Sequence, residues 1–158
     1  PGISSAASDV YKRQVAILLP FCSFSQVNLS SLNSKKSLKK YIKQDGVLIE
    51  YSFQEDNPTR AYKSEYIVLK VTNSASRPKT ISWDFSARFN TEKCLNCDSS
   101  NEELHFKNTI KSKSFIEGNV NNFQKDALVI FHKFVDENYN GRSLQDWQSF
   151  ELKKLTIR

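Results

Sequence analysis

An all-β, antiparallel two-sheet sandwich of about seven strands is the fold class this sequence predicts, and three observations predict it. From Thr80 to Asn90, Ile81, Trp83, Phe85, Ala87 and Phe89 alternate with Thr80, Ser82, Asp84, Ser86 and Arg88, a period of two that gives one buried and one wet face. Six to eight short apolar runs of this kind follow one another from Gly46 onward, with turn-forming clusters between them. No long stretch repeats at the helical period: wound as a helix, Thr80–Asn90 would scatter its apolar residues around the cylinder and leave no core-facing stripe. A closed barrel is the alternative architecture, and the absence of a fixed internal period argues against propellers and solenoids.

Length and composition agree with a single domain. The 158 residues include 11 Phe and 6 Tyr but no Met, a usage that favours strands over a Met-rich helical bundle. The net charge of +6 invites a nucleic-acid reading, but its distribution removes most of it. Lys35, Lys36, Lys39, Lys40 and Lys43 concentrate the excess before Gly46, and from Gly46 onward 16 basic residues stand against 15 acidic ones. A nearly neutral domain is not built to bind a polyanion.

The first segments fall outside the domain. In Pro1–Gln14 the string Ala6-Ala7-Ser8-Asp9-Val10-Tyr11-Lys12-Arg13-Gln14 resembles a translated cloning or sequencing adaptor and is set aside. Residues 15–25, apolar from Val15 and then small and polar, have the character of the back half of a truncated signal peptide, with Ser23 and Ser25 at the small positions before a cleavage site. The run is shorter than the ~20 apolar residues a membrane span needs. Phe21 is too bulky before Cys22 for a lipidation site. Residues 26–45 are a polar, basic linker or an edge strand turning at Asp45-Gly46, a dipeptide that favours hairpins.

The domain is expected over residues 46–158. Val47, Ile49, Tyr51 and Phe53 form a first alternating strand, closed by Glu55-Asp56-Asn57-Pro58. Glu65–Asn73 forms a second, with Ile67, Leu69 and Val71 on one face and Tyr66, Val68, Lys70 and Thr72 on the other; Pro78 ends any ladder beyond it. Thr80–Asn90 is the third, its Trp83 placed to anchor packing between sheets. Leu104 with Phe106, and Phe115 with Ile116, mark two short strands. Ala127–Val135 is apolar on both faces, which predicts a central strand. A long loop spans Asp136–Asp146. The last run, Phe150, Leu152, Leu155 and Ile157, breaks phase in a way that a bulge near Lys153-Lys154 would repair.

One motif bears on chemistry. Cys94-Leu95-Asn96-Cys97 has the spacing of redox loops, but those depend on a helix following the first cysteine. Here Ser100 and Glu103 allow one helical turn and the next apolar residues alternate. In an exported protein the two thiols are expected to pair as a structural disulfide. Such a small loop places the gain near the low end of about 0–5 kcal/mol. A zinc site lacks ligands, because His105 and His132 fit no compact metal spacing. Neither histidine neighbours a plausible nucleophile in sequence, and no phosphate-binding loop occurs. His132 is expected to be a hydrogen-bonded packing residue and His105 a half-exposed strand residue. The candidate binding residues are the aromatics Tyr62, Tyr66, Tyr139 and Trp147, which fall in loops or on the polar face of their strand, with packing under loops as the alternative role.

Gly46-Val47 with Ile49-Glu50-Tyr51, Glu65–Lys70 with Asn73, Cys94-Leu95-Asn96-Cys97 and Phe150-Glu151-Leu152-Lys153 together resemble small exported immunoglobulin-like β-sandwich proteins of Gram-negative bacteria, a loose group without a characterised activity. The resemblance spans Gly46 to Arg158 and implies fold and export. The expectation is therefore a secreted, periplasmic or cell-surface module, non-enzymatic and without cofactor or metal. It would bind a protein or glycan partner but no nucleic acid, and would touch a membrane only transiently through the signal peptide. The rival expectation is a thiol redox or metal-handling protein using Cys94 and Cys97.

Overall fold

The computed structural model describes residues 26–29, 37–56, 63–90, 93–98, 102–122, 128–135 and 147–158. Ten strands lie among them: β1 Val27–Asn28, β2 Lys39–Gln44, β3 Val47–Glu55, β4 Ser64–Asn73, β5 Lys79–Phe89, β6 Cys94–Leu95, β7 His105–Ile110, β8 Ser114–Glu117, β9 Val129–Phe134 and β10 Trp147–Ile157. One 3-10 turn at Glu102–Leu104 precedes β7, where the capping-box spacing allowed a helical turn. The strands form two antiparallel sheets packed face to face. In the first, β1-β10-β5 run side by side and β6 and β7 share the other edge of β5. In the second, β2-β3-β4 form a meander, and β8 and β9 share the far edge of β4. The chain is thus a β-sandwich.

The core follows from the alternation. Ile81, Trp83, Phe85 and Ala87 of β5 face Val47, Ile49, Tyr51 and Phe53 of β3 and Ile67, Leu69 and Val71 of β4, all buried in one cluster. Trp83 stacks on Phe106 with ring centroids 3.9 Å apart, a partner in register within its own sheet. Among the rings that cross between sheets are Tyr41 and Tyr51 against Phe150, at 5.9 and 5.2 Å. Tyr41 also accepts a hydrogen bond at 3.0 Å from the Leu152 N–H, so one edge of β10 is tied to β2.

The hairpin at Asp45-Gly46 forms as expected, with both residues at positive φ, the geometry that matches the right-handed twist of the flanking strands. Within the segment before it, Lys39–Gln44 forms a strand: β2 pairs with β3, and Tyr41 enters the core. The expected bulge is present too. The β10–β5 register shifts between Lys153 and Thr156, Lys154 takes φ 52°, and Leu155 and Ile157 return to the core side.

Three expectations change. Strand β9 pairs only with β4 among the described residues, so it is not central; its outer residues Val129 and Phe131 are covered by Tyr66, Val68 and Val120. Tyr66, expected as an exposed binding aromatic on a polar face, lies in that cluster at 6% exposure, edge-on to Phe131. Trp147, expected in a loop, opens β10 and is 8% exposed against Phe85 and Phe89. Its odd position is out of phase with Phe150 and Leu152. The register shift between Trp147 and Ser149 turns it inward.

Candidate functional site

The outer face of β5 carries the polar half of its alternation, Ser82, Asp84 and Ser86. Asp84 stands in register with His105 on one side and Lys153 on the other. His105 Nδ1–H donates to Asp84 Oδ1 at 2.7 Å, and the Lys154 ammonium lies 3.0 Å from Asp84 Oδ2. The carboxylate itself is buried, whereas the imidazole is 46% and Lys154 71% exposed. The His105 hydrogen bond holds the Asp84 carboxyl below the usual carboxylate range; burial opposes this and Lys154 reinforces it. Like other charge-assisted bonds, these fix side-chain geometry more strongly than neutral ones do.

The bulge aims the two lysines differently. Lys154 turns to Asp84, while the Lys153 ammonium donates to the carbonyls of Asn96 and Cys97, the latter at 2.7 Å. Those carbonyls belong to the cysteine loop. Asn96 takes φ 58°, a left-handed conformation that Asn tolerates, and its Nδ2 donates to the Phe85 carbonyl at 2.8 Å. Strand β6 pairs Cys94 with Arg88 and Leu95 with Ala87, and the Phe89 N–H donates to the Lys93 carbonyl. Cys94 and Cys97 are partly buried and lie at disulfide distance, their Cα atoms 5.7 Å apart.

A second ionisable pair sits inside the sandwich. Glu65 has the same phase as Ile67 and Leu69 and so points inward, where its Oε1 accepts from His132 Nδ1–H at 2.9 Å. His132 is walled by Phe53 and Trp147, at ring separations of 5.3 and 5.2 Å. It is the hydrogen-bonded packing residue expected from its strand. Among the described residues no three His, Cys, Asp or Glu side chains gather at metal-binding spacing.

The outer face of the second sheet is different in kind. Phe115 on β8, beside Thr72 in register, is 58% exposed, the most exposed large apolar side chain among the described residues. Lys70 Nζ stands 4.6 Å above its ring and 3.4 Å from the Glu117 carboxylate. Glu50 pairs with Lys70 across the sheet, which extends a row of charges beside the ring.

Of the residues singled out by sequence, the structure brings Cys94 and Cys97 together and buries Tyr66 and Trp147; Tyr62 and Tyr139 lie outside the described residues. Sequence reasoning missed the Asp84–His105–Lys154 cluster and the Glu65–His132 pair. For the second, the inward phase of Glu65 and the hydrogen bond expected of His132 were the available signals. No family model matches the chain, and no curated protein or solved structure is found to be similar to it.

Proposed function

We propose that this protein is an exported, non-enzymatic binding or accessory module that engages a protein or glycan partner through the outer face of the β4 sheet. The carrying observation is Phe115, an aromatic ring held open to solvent on a strand, flanked by the Lys70–Glu117 pair. Covering that ring on binding would contribute about 1–2 kcal/mol. Lys70, Glu117 and Glu50 offer donors and acceptors at its edge, and the strand holds these groups at little entropic cost. The histidines favour binding over catalysis. His132 is enclosed by aromatic rings, and His105 lies on an open sheet face bonded to a carboxylate. The apolar run from Val15 with Ser23 and Ser25 supports export, and a cysteine pair at disulfide distance fits an oxidising compartment.

The test is a glycan array together with a pull-down, using the full chain and its Phe115→Ala variant. A ligand held by the wild type and lost by Phe115→Ala, with unchanged thermal stability, is the expected result. A ligand that Phe115→Ala still binds would move the contact elsewhere, and no ligand in either format would refute the reading.

A further inference from the structure

The cysteine loop is held in place by contacts that do not involve sulfur. Asn96 Nδ2 is bonded to the Phe85 carbonyl, Lys153 to the carbonyls of Asn96 and Cys97, and the Phe89 N–H to the Lys93 carbonyl, while β6 itself pairs with β5. A bond between Cys94 and Cys97 closes a loop of only four residues, so it removes less entropy from the unfolded chain than a longer loop would. The loop therefore has anchors on β5 and β10 that remain when the sulfur–sulfur bond is open. Both cysteine residues are partly exposed. The Lys153 ammonium rests on the carbonyl of Cys97 itself, so its positive charge favours negative charge on the Cys97 sulfur.

We propose that Cys94 and Cys97 form a reversible thiol–disulfide exchange site for a dithiol, one that changes redox state without unfolding, with Lys153 as its positioning residue. A thiolate of the incoming dithiol attacks Cys94 Sγ, a mixed disulfide forms, and Cys97 leaves as the thiolate beside Lys153. The second thiolate of the dithiol then attacks its own sulfur in the mixed disulfide and releases Cys94. Two electrons and two protons pass from the dithiol to the cysteine pair, and the dithiol departs as a disulfide. In reverse, Cys94 attacks an oxidised partner and the Cys97 thiolate closes the ring. This activity stands apart from the binding reading and does not rest on it.

The test uses the full chain carrying Cys22→Ser, so that one cysteine pair remains. The protein is equilibrated with reduced and oxidised dithiothreitol, or with reduced and oxidised thioredoxin; redox state is read by mass after alkylation and fold by near-UV circular dichroism. The expected result is complete, reversible reduction with the native near-UV signal retained. Faster exchange with thioredoxin would assign a protein dithiol as the source, and faster exchange with dithiothreitol a small one. For ring closure, Lys153→Met is expected to be about threefold slower at neutral pH, because the loss of thiolate outweighs the gain in intrinsic nucleophilicity. Its pH profile should move to higher pH, and Lys153→Arg should restore both rate and profile. Reduction only on unfolding, or failure to exchange with either dithiol, would overturn the proposal, even if Lys153→Met does not fold. An unchanged rate and pH profile in a folded Lys153→Met would overturn the role of Lys153.

Discussion

Replacing Asp84 with Asn removes a negative charge from the outer face of the β5 sheet while keeping the size of the side chain. In the folded protein that carboxylate accepts from His105 at 2.7 Å and sits 3.0 Å from the Lys154 ammonium. A hydrogen bond to a charged acceptor is worth about 1.5–3 kcal/mol. The imidazole and the ammonium are both well exposed, so water competes for them, and the lower end of that range applies with no more than ~0.5 kcal/mol from Lys154. The amide retains one acceptor, which leaves an expected loss of about 1–2 kcal/mol at pH 7. The loss should depend on pH, because the Asp84 carboxyl is held below its ordinary value when folded, chiefly by the His105 bond. A depressed folded value means that the contribution is complete above the unfolded value of about 3.9 and disappears as pH falls from there through the lower folded value. Urea unfolding of wild type and Asp84→Asn in parallel, from pH 7 downward, measures this difference with the other carboxylates common to both chains. A gap that shrinks toward zero in acid is expected. A gap that stays constant with pH, or no gap at pH 7, would refute the assignment of Asp84 as a charged, paired carboxylate.

Two further substitutions test the fold that presents the two sites. Tyr41→Phe deletes only the oxygen that accepts from Leu152 N–H, leaving that buried donor unpaired; denaturant titration should show a loss of about 1–3 kcal/mol, and a change under ~0.3 kcal/mol would mean the link between β2 and β10 is inconsequential. Gly118→Ala places a Cβ 2.5 Å from the Leu128 carbonyl oxygen and 2.6 Å from Val129 Cγ2, where β8 and β9 converge on Leu69. Overpacking there is expected to cost about 1–3 kcal/mol, and each kcal/mol lowers the melting temperature by roughly 2–4 °C. An unchanged melting temperature would mean that the two strand ends are free to separate.

The alternation of apolar and polar residues was enough to place β3, β4 and β5 and to assign their faces, because a strand's side chains switch sides at every residue whatever lies next to it. Asp45-Gly46 announced its hairpin because few dipeptides supply two positive φ angles, and the broken phase after Leu152 announced a bulge. Local patterns of this kind need no knowledge of neighbours. What covers a face, and what stands beside it, does need that knowledge. Tyr66 has the phase of an outward residue and is buried because Val120 and Phe131 come to lie over it. Trp147 is buried through a second register shift, in a stretch with no alternation to reveal it. Asp84, His105 and Lys154 are far apart in the chain and meet only because β7 and β10 both flank β5 in one particular register. The two cysteines could be paired from their spacing alone, but not the tethers from Asn96 and Lys153 that anchor the loop without sulfur. Periodicity therefore determined β3, β4 and β5 and the side each of their residues takes, and the tertiary structure decided both sites, because ladder register is a relation between segments that no single segment encodes.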